Sequence, residues 1–186
     1  MRPGEPGHRR STEHTRTGTR TTGADRVPEL MRHAWIGIDG DDPARNTSRR
    51  LAGHVGARTL DIPPGGKARY HAAAVISSNF PVVLAALAGE VLASLGIPAR
   101  SAQHAVHGLM DAAVSNLAET APADVLTGPI VRGEVDTIIR HLTALRQEPE
   151  ARAVYKRLSL TALAIAAQRG VAPEIIEEMR RALLLR

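Results

Sequence analysis

The chain has no cysteine among its 186 residues. That excludes a disulfide framework, a thiolate zinc site and a cysteine nucleophile, and it suits a cytoplasmic protein. Aromatic residues are nearly as scarce, with one Trp, one Phe and two Tyr. A stacking platform for single-stranded nucleic acid, which needs aromatic faces, is therefore not expected. The N-terminus is basic but no apolar run follows it, so no secretory signal is read. The most apolar stretch, residues 72 to 95, is interrupted by Ser77, Ser78, Asn79, Pro81 and Glu90. A buried helix is expected there rather than a membrane span. Neither a Gly-x-Gly-x-x-Gly turn nor a Walker-type loop occurs anywhere.

What remains is an interior of Ala, Val, Leu and Ile. Hydrophobic residues make up 43% of the chain, enough for a core of closely packed helices. The formal charge is +5, but residues 1–33 carry seven Arg against four acids, while residues 34–186 carry 17 basic against 15 acidic groups. The folded part is thus close to neutral. Residues 1–32, rich in Arg, Thr, Gly and Pro, read as a disordered basic tail. The tail offers a weak contact for polyanions, but no motif supports a nucleic-acid binder.

Order begins at "AWIGIDGDD". Trp35, Ile36 and Ile38 read as a short strand, and Asp42 caps a helix with Pro43 at its first position. "ARTLDI" reads as a second strand. Two strands and one helix cannot cover both faces of a sheet, so residues 33–63 read as the edge of something larger. From residue 64 onward the pattern is helical. Five helices are expected, at about 67–95, 101–119, 133–147, 150–169 and 173–185. Ser101 is expected to cap the second of them, with Val106, Leu109, Met110, Ala113, Val114 and Leu117 on its core stripe. "APADVLTGPIVRGE" reads as a loop. Pro81 is expected to kink the first helix, with the Ser77 and Ser78 hydroxyls near the freed backbone groups.

"YHAAAVISSN", "LTGPIVRGEVDTIIRHL" and "YKRLSLTALAIA" resemble the C-terminal half of a bacterial family of reductase-like proteins. That family is known as domain of unknown function 2520, joined to a Rossmann-like domain. The resemblance covers roughly residues 34–186. It implies kinship with NAD(P)-dependent reductases, such as ketopantoate reductase and pyrroline-5-carboxylate reductase, whose second domain is the helical type of 6-phosphogluconate dehydrogenase. The fold it implies is mainly α: a five-helix domain preceded by a residual β-α-β unit of a Rossmann-like domain. Such proteins open with Gly-x-Gly-x-x-Gly, which this sequence lacks. It looks like a member without most of its nucleotide-binding half. Its cofactor, by resemblance, is NAD or NADP, and hydride transfer by this chain alone is not expected.

The resemblance also points to candidate residues. In the related reductases a lysine, with an asparagine one turn later, polarises the substrate carbonyl. Lys67-x-x-x-His71 takes that geometry here, and Asn79 lies about 80° round from His71 on a helix. Lys67, His71 and Asn79 are the candidate catalytic residues. The alternative is a solvated lysine beside polar groups that satisfy a kinked backbone. Ser78, Asn116, Thr127, Gly128 and Arg132 are candidate substrate-binding residues, with His141 weaker. An Arg on a glycine-flanked loop can fork a carboxylate or phosphate; the plain alternative is a local ion pair with Glu134 or Asp136. His104, His107 and Asp111 share a helix face, but a solvent-facing polar stripe explains them better than a metal site. Expected partners are a second copy of the chain and a small-molecule substrate, with no membrane and no metal.

Overall fold

The computed structural model describes residues 31 and 34–185. The rest of the expected basic tail lies outside the described residues. The chain divides into two compact units, one ending at Ala72 and one beginning at Ala73.

In the first unit, β1 (Trp35–Ile38), α1 (Asp42–His54) and β2 (Arg58–Asp61) follow one another. The strands pair in parallel, with Trp35 opposite Arg58 and Ile38 opposite Asp61. Parallel neighbours need a crossover, and α1 supplies it. Its cap lies one residue earlier than the sequence suggests. The Asp41 carboxylate accepts from the Ala44 backbone N–H at 2.9 Å, and Asp42 is already helical. The extended backbone of Asp41 suits the cap position. Ile38, Ala52 and Ile62 are buried, whereas Trp35, Leu51 and Leu60 stay exposed. A two-stranded sheet with one helix has nothing to lay on its other face.

Helix α2 (Lys67–Ser94) runs across the boundary between the units. It contains Pro81, and none of its residues is buried. This corrects the expectation of a buried helix: the described elements cover its apolar surface only in part, leaving residues such as Leu84, Leu87 and Leu92 half-buried. By length and composition alone α2 could cross a membrane. It ends where Gly96 adopts a positive φ of 80° and Pro98 follows.

α3 (Ala99–Glu119) begins directly after Pro98, so Ser101 lies inside its first turn and is not the cap. Only Ala102 and Val106 of this helix are buried. Leu109, Val114 and Leu117, expected in the core, are exposed, for the same reason as α2. The expected loop contains two single turns, α4 (Pro122–Val125) and α5 (Pro129–Arg132). α6 (Val135–Ala144), a 3-10 turn (Leu145–Gln147), α7 (Pro149–Gln168) and α8 (Pro173–Leu185) complete the chain.

The core of this unit is built from α5 to α8. Ile130, Ile138, Leu142, Leu163, Ala166, Met179 and Leu183 pack together. Two arginines tie its joints: Arg152 Nε donates to the Leu142 carbonyl at 3.0 Å, and Arg169 Nη1 to the Leu126 carbonyl at 2.6 Å. Each satisfies a carbonyl at a helix end or loop that the backbone leaves unpaired. The fold is mainly α, preceded by a small β-α-β unit.

Candidate functional site

The first turns of α2 carry the residue types with the widest chemistry. Gly65, at φ 75°, turns the chain out of the second strand. Tyr70 is not free for chemistry: its hydroxyl accepts from the Gly37 backbone N–H at 3.1 Å, pinning the helix start to β1. Lys67 and His71 are exposed, one turn apart on one face. No acid stands in the first turn of α2, so the lysine and the positive helix end act in the same direction. The pair can stabilise negative charge developing on a carbonyl oxygen.

Further along α2, Ser77 and Ser78 both reach the Ala74 carbonyl, at 3.2 and 2.7 Å. The carbonyl freed by Pro81 is that of Ser77, so the serines bond one turn earlier than the sequence suggested. Ser78 Oγ also lies 2.8 Å from Asn79 Oδ1. Among the described residues no hydrogen bond joins Ser78 or Asn79 to Asn116, Thr127 or Arg132.

The Thr127–Gly133 segment follows its glycines. Gly128 adopts φ 97° before the single turn α5, and Gly133, at φ 69°, ends it in the left-handed region. An Ile175 methyl lies 3.0 Å from where a Cβ of Gly133 would stand. Thr127 is exposed. The Arg132 guanidinium is already held by Glu134, Nε to Oε1 at 2.5 Å and Nη2 to Oε2 at 3.3 Å. The hydrogen bond that Arg132 donates to Glu134 raises the Arg132 pKa, and the same bond holds the Glu134 carboxyl below its ordinary range. A ligand carboxylate would meet the remaining Nη1–Nη2 edge, since Glu134 takes the Nε side. His141 Nδ1 lies 2.9 Å from the Tyr155 hydroxyl, with the rings edge to face, away from the Arg132 pair in its bonding.

The N-terminus of α1 does not fit a dinucleotide. A pyrophosphate needs a glycine-rich turn and free N–H groups at a helix N-terminus. At α1 the Asp41 carboxylate already accepts from Ala44, and Asp42 adds a second negative charge in the first turn. Gly40 alone takes a positive φ in that turn.

A groove absent from the sequence reading lies between the C-terminal half of α2 and α3. Its cavity measures about 680 Å³. Ala85, Ala86, Gly89, Ala93 and Ala102 form its floor, while Glu90, His107 and Asp111 bring polar groups to it. The one sequence signal for it was Glu90, a lone carboxylate in an apolar run. His104 is not part of the lining, and among the described residues no three His, Asp or Glu side chains stand close enough to hold a metal.

Solved structures share this architecture. The crystal structure of protein TM1727 from Thermotoga maritima matches 79% of this chain and 59% of its own, at 24% identity and a TM-score of 0.69. A Bacteroides fragilis protein, BF3122, described as a "putative NADP oxidoreductase", matches 69% of this chain and 49% of its own, at 25% identity and a TM-score of 0.57. This chain thus spans about half to three-fifths of the length of either. No curated protein matches it. The family model for the domain of unknown function DUF2520 matches residues 34–162, and the chain belongs to that family.

Proposed function

We propose that this chain is the helical, substrate-side domain of an NAD(P)-dependent oxidoreductase, acting as a homodimer in the cytoplasm. The observation that carries the reading is the exposed Lys67–His71 pair, which opens a helix directly after a parallel β-α-β unit. The likeness to the Bacteroides fragilis protein supports the same class. In this reading Lys67 stabilises charge on a substrate carbonyl, His71 relays a proton, and Asn79 and Ser78 orient the substrate along α2. Asn116, Thr127, Gly128 and Arg132 belong to its remaining contacts. The nucleotide is held by residues other than those described, since the N-terminus of α1 does not suit it. The chain alone is therefore catalytically inactive.

The test is a chimera carrying the dinucleotide-binding half of a family member ahead of residue 34. NADPH oxidation is followed against a panel of small ketones and imines. Lys67→Ala and His71→Ala should each lower turnover by about 10²-fold or more. Full turnover by both variants would remove these residues from the chemistry.

A second reading, a non-catalytic helical dimerisation module, is favoured by one observation: α2 is apolar and none of its residues is fully buried. In that case the chimera variants change nothing, while the oligomeric state still depends on α2.

A further inference from the structure

We propose that the corner between α7 and α8 positions Arg132 to bind the carboxylate of a small-molecule ligand, with Arg169 as the residue that sets the loop. The proposal rests on the reading of Arg132 as a substrate contact, and it names the group that Arg132 takes.

The segment Leu126–Gly133 is fixed at three points. At its start the Arg169 guanidinium, 43 residues further along the chain, donates to the Leu126 carbonyl at 2.6 Å. In its middle Ile130 is buried in the α5–α8 core. At its end Gly133 stands against α8 and the turn before it. The Ile175 methyl lies 3.0 Å, and a Val171 methyl 3.4 Å, from where a Cβ on Gly133 would be. Arg169, Val171 and Ile175 all belong to the end of α7 and the start of α8. One corner thus holds both ends of the segment. Between those ends, Thr127 and Arg132 are the exposed residues.

The Arg132 fork is half used. A guanidinium has five N–H donors. Nε goes to Glu134 Oε1 and one Nη2 hydrogen to Oε2. The other Nη2 hydrogen and those of Nη1 form a second edge of parallel donors, matched to the two oxygens of a planar carboxylate. Glu134 aligns the guanidinium without competing for that edge. Its charge is also shared. The Glu134 carboxyl is held low chiefly by the Arg132 hydrogen bond, and the Arg140 charge adds to it. Two guanidiniums therefore attend one carboxylate, which leaves attraction for a second anion. Asp136 is exposed and stands outside these bonds.

An exposed arginine must freeze a long side chain to bind, which is why most surface pairs are weak. At Arg132 the Glu134 bonds and the fixed backbone have already ordered that side chain. Arg180 is the contrast within the same chain. It meets Glu177 through one contact of 3.4 Å on an exposed helix face. A tetrahedral phosphate is better met by several cations, but Arg169 is engaged with Leu126 and Arg140 with Thr137. A carboxylate is the better fit to a single free edge.

The experiment is a nuclear magnetic resonance titration of the full chain, without nucleotide. The probes are propionate, its neutral isostere propionamide, and inorganic phosphate. Propionate should move the Arg132 side-chain signals and the Gly133 and Glu134 amides saturably. Propionamide should not, and the Arg180 side chain should stay still. Arg132→Lys keeps the charge but loses the fork, and should weaken propionate binding about tenfold. Arg169→Ala should weaken it severalfold, and Arg169→Lys, which can still donate to the Leu126 carbonyl, should recover most of the loss. Equal shifts with propionate and propionamide, an equal response at Arg180, or parent-like affinity in Arg132→Lys would each overturn the site. Tighter binding of phosphate than of propionate would overturn the carboxylate assignment. An Arg169→Ala chain that unfolds more easily but binds propionate as the parent does would reduce Arg169 to a structural residue and overturn its positioning role. Turnover by the chimera is a separate readout. An inactive chimera with intact propionate binding removes the oxidoreductase reading, whereas lost binding beside an active chimera removes the carboxylate site.

Discussion

The phenol ring of Tyr70 occupies the space that a side chain on Gly37 would need. The Gly37 N–H donates to the Tyr70 hydroxyl at 3.1 Å, and a Cβ built on Gly37 would stand 2.5 Å from the ring Cζ. Gly37→Ala should destabilise the first unit by about 1–3 kcal/mol through overpacking. Tyr70→Phe should not rescue it, because the ring carbons remain. Tyr70→Leu should recover part of the loss. Denaturant titration of the parent, Gly37→Ala, Tyr70→Leu and the double variant forms a double-mutant cycle, and strictly additive losses would contradict the contact.

Leu183 and Leu184 are neighbours in α8 with opposite fates: Leu183 is fully buried and Leu184 is 59% exposed. Leu183→Ala should cost about 2–5 kcal/mol through lost burial and a residual cavity. Leu184→Ala should stay within about 0.5 kcal/mol. Equal midpoints in thermal unfolding would mean that the α5–α8 core is packed differently.

Tyr155 is half-buried, and burial pushes its phenol pKa up, against an opposing pull from the Ser159 hydroxyl. In a Tyr70→Phe background it is the only tyrosine. Its ionisation, followed by ultraviolet absorbance, should fall above the ordinary tyrosine value of about 10. The fold then holds the proton more tightly than the unfolded chain does. The resulting stability is complete below the unfolded value and is lost as pH rises through the folded one. Ser159→Ala should move the ionisation higher still. A midpoint at or below the ordinary value would contradict the burial.

The Arg132–Glu134 pair is exposed and should add no measurable stability. Glu134 is held below its ordinary range chiefly by the Arg132 hydrogen bond. Any contribution is present above the ordinary glutamate value and fades as pH falls through the lowered one. Nuclear magnetic resonance titration should show the Glu134 midpoint rising in Arg132→Ala, with the unfolding midpoint unchanged. An unmoved Glu134 would mean that the ion pair does not form in solution.

Much of the architecture was legible because period and punctuation agree. Gly56, Gly96 and Gly170 mark helix ends, Pro149 and Pro173 open helices, and the strands and longer helices stand within a few residues of where these signals put them. Caps were less legible. Asp41 and Asp42 are equally good in type, and only backbone geometry chooses Asp41. The apolar pattern of α2 and α3 marked residues that seek burial but did not say what buries them. Ile138 and Leu142 are buried in the core, while Phe80 and Leu109 stay exposed among the described residues. For the candidate site, sequence spacing put Lys67 and His71 on one helix face and left Arg132 open between a ligand fork and a local ion pair with Glu134 or Asp136. It missed the groove, which needs two helices in place before Glu90, His107 and Asp111 share it.

The central claim is that this chain forms the substrate side of an oxidoreductase and does not itself hold the nucleotide. Titration with NADPH and with NADH, following nicotinamide fluorescence, tests it most directly. No saturable change up to millimolar nucleotide is expected, because Asp41 and Asp42 occupy the helix end that a pyrophosphate would need. Saturable binding at micromolar nucleotide would contradict the claim and would place a complete cofactor site within these 186 residues.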